Sequence, residues 1–357
     1  MKVAFYLNIV SPHQLPLARE VAKRVGSENF IYLYAEDFHG ERARMGWDDD
    51  VGGIHAEKLS GRNRQVLRDA DLVYTGIRDL ELMESRAVAG KKTFYYSERW
   101  FKPIPVPLVT TTFNRDFYFP GWVRMFAPGY RKMARRFAKW MKSDPNARYL
   151  AVGPWAAKDM KLLGVPDEKI VAWGYFVEPS KSPVEYQSGG RKGFRILYIG
   201  RLLWLKHVDT IIRAVARLGA NGCPDVSLSI VGDGPQKTRL ENLATRLRLE
   251  DAVRFRPSVP IAQVRAIMRQ HDVMVFASNA LDGWGATVSE ALEEGVPVVG
   301  TIEAGAPAAL LPPNRLFNCG NHRQLAEVLV NLYQSKGRGT VPRGYTAVEA
   351  AEGVLSL

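Results

Sequence analysis

Two doubly wound α/β domains in tandem, joined by a linker, are the fold class that this sequence predicts. Three observations predict it. Short β-rich runs recur along the chain, segments with helical spacing of apolar residues separate them, and the alternation breaks once near the middle. Strands that alternate with helices pair in parallel and are covered on both faces. At 357 residues the chain is long for one core and comfortable for two.

The first half opens on Val3–Leu7. This run is too short for the core of a signal peptide and leads into Ser11-Pro12-His13 instead of a small-residue cleavage site, so it is read as a strand. Phe30–Tyr34, Leu72–Tyr74, Thr93–Tyr96, Tyr149–Val152 and Ile170–Trp173 read as further strands, and Leu17, Val21 and Val25 mark the buried stripe of the first helix. Around Glu178–Arg191 the composition turns to Pro, Ser, Gly and charge, which reads as a linker. The expected domains are therefore 1–180 and 190–340, with a tail at 341–357 packing back on the first. In the second half Ile196–Ile199, Ser227–Val231, Val253–Phe255, Val273–Phe276 and Val296–Val299 read as buried strands. Helices are marked by Val208, Ile211, Ile212 and Val215, by Leu240, Leu243, Ala244 and Leu247, and by Leu325, Val328, Leu329 and Leu332. Asn321 and Gln324 are spaced as a capping pair for the last of these.

Composition narrows the class. The residues are 46% hydrophobic and 24% charged with no low-complexity tract, as in a folded globular chain. No run approaches the roughly 20 apolar residues that span a bilayer. Cys223 and Cys319 are too few for a disulfide framework or a zinc site, and a reducing, cytoplasmic setting is expected. The net charge of +12 calls for an anionic partner, and a diphosphate, a lipid surface or nucleic acid would each answer.

Three loops that follow strands carry chemistry. Asp282-Gly283-Trp284-Gly285 leads into a helix expected from Ala286, with Thr287 in its first turn and Glu290 about a turn inside. A helix N-terminus offers N–H groups and a positive dipole end to a diphosphate, while the two carboxylates suit vicinal hydroxyls. Gly200-Arg201-Leu202 with Lys206 supplies a planar fork and a mobile point charge for phosphate oxygens. Gly232-Asp233-Gly234-Pro235 is a weaker signal, a strand-to-helix turn with proline suited to the first helical turn.

These loops resemble those of the retaining glycosyltransferases of family 4, in which Gly-Arg-Leu-x3-Lys precedes Glu-x7-Glu. The resemblance covers residues 190–335 and thins over 1–180. It implies the GT-B fold, two Rossmann-like domains facing each other across a cleft. Carried over, Glu290 holds the donor ribose, Asp282 the transferred sugar, and Arg201 and Lys206 the pyrophosphate. Gly200, Gly232, Gly234, Gly283, Trp284, Gly285, Ala286 and Thr287 then line the donor pocket. Two positions depart: Asp282 replaces the first Glu, and His207 stands where the family has Gly. In the first half the resemblance places acceptor contacts at His13, Gln14 and Arg99 and a catalytic carboxylate at Glu98.

The implied activity is metal-independent transfer of a hexose or related sugar, with retention, from a UDP- or GDP-sugar to an acceptor hydroxyl in polysaccharide or glycolipid synthesis. The nucleotide sugar is a substrate, and no cofactor, metal or nucleic acid is expected. A nucleotide-sugar epimerase, a sugar-phosphate synthase and a donor-binding subunit without turnover stay open. Asp48-Asp49-Asp50 and Asp69-Ala70-Asp71 contain Asp-x-Asp, the metal-holding element of another glycosyltransferase fold, but neither follows a strand, and both are read as solvated turns. Finally, Tyr130–Lys142 places Met133, Phe137, Trp140 and Met141 on one helical stripe among six basic residues, downstream of the aromatic run Phe117–Trp122. The stripe reads either as core or as a face for anionic lipid. In the second case the enzyme sits peripherally on the inner face of the membrane and reaches a lipid-linked glycan.

Overall fold

The computed structural model describes residues 1–37, 51–105, 118–180, 193–219, 223, 225–335 and 341–357. The chain divides into two compact units, Met1–Val177 with Tyr345–Leu357, and Glu178–Gly344. The linker read at Glu178–Arg191 lies mostly outside the described residues, as does Asp48-Asp49-Asp50.

The first unit is built on a parallel sheet ordered β3-β2-β1-β4-β5-β8-β9. Its strands are β1 (Val3–Leu7), β2 (Phe30–Tyr34), β3 (Ala56–Lys58), β4 (Leu72–Thr75), β5 (Lys92–Ser97), β8 (Ala147–Val152) and β9 (Ile170–Trp173). Strand β3 carries only Ala-Glu-Lys and pairs at the edge through its backbone, which is why no apolar pattern announces it. A short antiparallel pair, β6 (Ile104–Pro105) and β7 (Tyr118–Phe119), stands apart. The helices are α1 (Leu15–Val25), α2 (Arg64–Asp69), α3 (Leu80–Val88), α4 (Pro128–Ser143) and α5 (Pro154–Leu162). On α4 the stripe Phe137, Trp140 and Met141 is buried with Met133 packed beside it, so these side chains belong to the core and not to a lipid face. Buried Arg86 of α3 ties the layers together, donating to the carbonyls of Leu67, Ala70 and Lys92 and to the Thr93 hydroxyl. In the second Asp-x-Asp, Asp71 precedes β4 and accepts from Lys91 and from the Lys2 N–H, a structural turn.

The second unit has a parallel sheet ordered β12-β11-β10-β13-β14-β15. These are β10 (Phe194–Ile199), β11 (Val226–Val231), β12 (Val253–Arg256), β13 (Val273–Phe276), β14 (Val298–Thr301) and β15 (Leu316–Phe317). The helices are α6 (Val208–Leu218), α7 (Lys237–Arg246), α8 (Ile261–Met268), α9 (Ala286–Glu293), α10 (Gly305–Leu310) and α11 (His322–Gln334). Asn321 caps α11 by accepting from Gln324 N–H, whereas the Gln324 side chain turns outward to Asn318, so only half of the expected reciprocal pair forms. Pro235 sits in a turn before α7, which begins only at Lys237, because Gly234 holds a positive φ of 156 and Lys237 N–H closes on its carbonyl. Helix α12 (Ala347–Ser356) belongs with the first unit, where it packs on α1 and pairs Glu352 with Arg24 at 3.3 Å.

In each sheet the strand order reverses beside the first strand, at β1/β4 and at β10/β13. Such switch points leave a crevice at the carboxyl ends of the strands, where open α/β sheets take their ligands. Among the described residues no helix is long and apolar enough to cross a membrane.

Candidate functional site

At the β10/β13 switch point the second unit assembles most of the residues the sequence singled out. The loops after β10 and β11 run backbone against backbone: Gly200 N–H donates to the Val231 carbonyl, Leu202 N–H to that of Asp233, and Gln236 N–H to that of Leu202. Glycine is required for this approach. A Cβ on Gly232, at φ 147, would stand 2.0 Å from the Gly200 carbonyl oxygen, and one on Gly234 2.5 Å from that of Leu202. The buried Tyr198 hydroxyl donates to the Arg201 carbonyl at 2.8 Å, fixing the backbone from which the exposed Arg201 side chain extends.

The loop after β13 is tied to the same place. Asn279 N–H donates to the Leu205 carbonyl, and its side chain accepts from Leu281 N–H and meets His207 Nε2 at 3.4 Å. This brings the Lys206 ammonium to Asp282 at 2.5 Å, both side chains largely covered. Lys206 also lies 5.6 Å above the Phe276 ring. That ring fills the space of a Cβ on Gly285, which starts α9 in the left-handed region at φ 90, ψ 66 and supplies no side-chain cap. The N-terminus of α9 thus begins beside the Lys206–Asp282 pair. His207, where the motif has Gly, also adopts a left-handed conformation at φ 48. That conformation is why glycine suits the position, and His207 bears about 1–2 kcal/mol of strain there.

Glu290 is half-buried on α9, and its carboxylate has no hydrogen-bond partner among the described residues. Burial raises its pKa to about 7, Arg265 opposes the rise, and Glu294 adds to it. Glu294 itself is buried and paired with Arg265 and Arg269. Trp284 departs from its expected place: its indole is buried and donates to Ser289 Oγ at 3.0 Å, so the side chain braces the loop and does not line a pocket. The segment between β14 and α10 escaped the sequence reading. At the start of α10 the Gly305 and Ala306 N–H groups hold the carbonyls of Gly283 and Trp284, and in the segment itself Glu303, raised by burial, accepts from Cys319 N–H.

The first unit brings its candidates together through a residue the sequence reading missed. Tyr175, two residues past β9, stacks on His13 with ring centroids 5.7 Å apart and planes within 5°. Its hydroxyl donates to Glu98 Oε1 at 2.9 Å, and Lys102 donates to Oε2 at 2.9 Å. Burial, then Glu98, raises the Tyr175 phenol well above its ordinary value, so it stays a donor. Its place just beyond a strand end was the available signal. Gln14 and Arg99 do not join this group as ligand contacts. Gln14 is buried and accepts from the Tyr74 hydroxyl, which in turn accepts from Trp173. Arg99 lies over Trp155 at 5.4 Å and 3.9 Å from buried Asp159, whose carboxylate holds Phe101 N–H. Burial lowers Arg99 and raises Asp159. Among the described residues, no group of three or more His, Cys, Asp and Glu is arranged to hold a metal ion.

Residues 187–338 match the family described as "Glycosyl transferases group 1". Over 179 residues, 47% of the chain, it is 27% identical to the UDP-N-acetylglucosamine–peptide N-acetylglucosaminyltransferase GtfA subunit of Streptococcus pneumoniae, covering 34% of that protein. Over 122 residues it is 32% identical to the GDP-mannose-dependent alpha-(1-6)-phosphatidylinositol monomannoside mannosyltransferase of Mycolicibacterium smegmatis, covering 32% of each chain. The match thus spans about a third of the length of these relatives. Among solved structures, HepE of Anabaena in complex with UDP aligns over 100% of this chain and 97% of its own, with a TM-score of 0.62 at 17% identity. At that identity the likeness shows the fold, two Rossmann-like units as in GT-B glycosyltransferases.

Proposed function

We propose, from the match of residues 187–338 to the Glycosyl transferases group 1 family, that the chain transfers a sugar from a nucleotide-diphosphate sugar to an acceptor hydroxyl. The observation that carries this reading is the Lys206–Asp282 contact at the start of uncapped α9, with the unpartnered Glu290 carboxylate just over one turn inside. A diphosphate fits cations and a helix N-terminus, and the hydroxyls of a sugar and a ribose fit two carboxylates. HepE holding UDP and, in another crystal, UDP-glucose supports a UDP-sugar, while the mycobacterial relative's name supports a GDP-sugar.

In the reaction the bond from the sugar's anomeric carbon to the phosphate oxygen breaks as the bond to the acceptor oxygen forms. Negative charge grows on the departing nucleoside diphosphate, and Arg201, Lys206 and the α9 N-terminus stabilise it. Asp282 and Glu290 orient sugar and ribose, which raises the effective concentration of the reacting atoms. We assign retention through same-face substitution, with the acceptor's proton passing to the departing phosphate oxygen, and no metal or cofactor in the cycle. In the first unit Glu98, oriented by Tyr175 and Lys102, and His13 stacked on Tyr175 would receive the acceptor glycan. We place that acceptor on a lipid carrier reached by a cytoplasmic enzyme bound peripherally to an anionic membrane.

NMR of the product anomer tests the stereochemistry, and an inverted product contradicts it. Activity surviving EDTA fits the metal-independent cycle, whereas loss with rescue by Mg²⁺ or Mn²⁺ refutes it. Arg201→Ala should slow turnover at saturating donor, since its charge counts most as the leaving group forms. Epimerisation of the donor with no acceptor present would favour the epimerase reading instead.

A further inference from the structure

We infer that the first unit carries an anionic-phospholipid headgroup site in a groove between α4 and the end of α5. The groove has a volume of 580 Å³ and is lined by Met125, Arg135, Lys139, Lys142, Leu162 and Leu163, together with Ala138 and Ser143. The three cations follow one another at i, i+4 and i+7 on α4, so a single helix face presents them while Phe137 and Trp140 are turned to the core. No carboxylate among the described residues lies within ion-pair distance of any of the three; the nearby Glu84 is held by Arg136, and Lys139 acts on it only through its field. Lys142 reaches across the end of α5, its ammonium 2.9 Å from where a Cβ on Gly164 would stand. Three cations without a carboxylate at ion-pair distance on one concave surface call for an anion.

The rim decides which anion. The turn Gly121–Phe126 contributes Met125 to the groove and exposes Trp122 at 51% and Phe126 at 73%, their rings 6.0 Å apart. Leu162 stands 64% exposed at the edge of the groove. The turn is not loose: Gly121 is buried so closely that a Cβ would fall 2.1 Å from the Phe101 carbonyl oxygen, which anchors the segment bearing the two rings. A free phosphate would use the cations and gain nothing from exposed rings. A lipid surface uses both, the cations at headgroup phosphates and the Trp and Phe in the interfacial layer. This site goes beyond the peripheral placement proposed above by fixing the residues that make it. Binding is read without donor or acceptor, so a failure of sugar transfer leaves the test intact.

The experiment is co-sedimentation of the full chain with phosphatidylcholine vesicles, with and without phosphatidylglycerol, at low and high salt. Binding is expected only to the anionic vesicles and should weaken with salt. The variant R135Q/K139Q/K142Q should bind roughly a hundredfold more weakly, about fivefold per cation, with an unchanged melting temperature. Trp122→Ser with Phe126→Ser should weaken binding about tenfold at both salts. Equal binding by wild type and variants, or no binding by the wild type, overturns the site. A melting temperature raised by inorganic phosphate at constant ionic strength, with no vesicle binding, assigns the groove to a free anion and overturns the lipid assignment.

Discussion

The two switch-point sites of this molecule are built by different means. At β10/β13 the framework is backbone: two glycine loops lie against each other through carbonyls and N–H groups, and a third is held by N–H groups of Asn279, Gly305 and Ala306. At β1/β4 the framework is side chains: Tyr74, Tyr96, Trp173, Tyr175 and His13 stack or hydrogen-bond across strand ends, and Glu98 is held by a phenol and an ammonium. A diphosphate is the same in every nucleotide sugar, so a backbone cradle with fixed spacing serves it. An acceptor varies, and aromatic side chains can be exchanged one at a time without moving the backbone.

Substitutions can break this contrast, and the largest effect should fall on the backbone site. Gly232→Ala forces the two loops apart at a left-handed position and should cost at least about 3 kcal/mol of stability, read from denaturant melts. A loss below about 1 kcal/mol would mean the loops are not locked. Next is Glu290→Gln, expected to cost about 1.5–3 kcal/mol of donor affinity by calorimetry. Because Glu290 titrates near 7 and the ribose prefers its ionised form, donor affinity should fall as pH drops below that value. The glutamine variant should lose this pH dependence. The linked effect on stability has the opposite sense. Since the folded pKa is raised from 4.5, the folded chain holds this proton longer than the unfolded one, and stability falls as pH rises from 4.5 to about 7. A flat profile in the wild type would contradict the assignment.

Smaller effects should come from the side-chain site. Tyr175→Phe keeps the His13 stack and removes one donor from Glu98, so the acceptor KM should rise about fivefold to tenfold while donor affinity stays unchanged. A change in donor affinity instead would merge the two sites into one. Smallest is His207→Gly. Relief of left-handed strain gains about 1–2 kcal/mol, and glycine's unfolded freedom takes back about 0.5–1, leaving a net stabilisation near 0.5 kcal/mol. A lowered melting temperature would mean that the contact with Asn279 outweighs the strain.

The same contrast explains what could be read from the residues alone. Strand–loop–helix alternation, the glycines and the charges at Arg201, Lys206, Asp282 and Glu290 are local in sequence, so both parallel sheets and most of the second site were legible. Trp284 was misplaced because nothing in a short motif tells a ring that lines a pocket from one that braces a loop against Ser289. Gln14 and Arg99 were misplaced for a related reason: their partners, Tyr74 and Asp159, lie 60 positions or more away in the chain, and only folding brings them together. Tyr175 was overlooked although it follows a strand, because a lone tyrosine carries no spacing to recognise. Strand β3 was invisible because an edge strand paired through its backbone needs no apolar alternation.

The central claim is that the second unit's loops hold a nucleotide-diphosphate sugar. Calorimetric titration of the full chain with a panel of UDP-, GDP- and ADP-sugars, repeated on the double variant Lys206→Ala, Glu290→Ala, tests it most directly. The account predicts one-to-one binding of at least one member of the panel by the wild type, and loss of that binding by at least a hundredfold in the double variant. Silence across the panel, or equal affinity in both proteins, would contradict it.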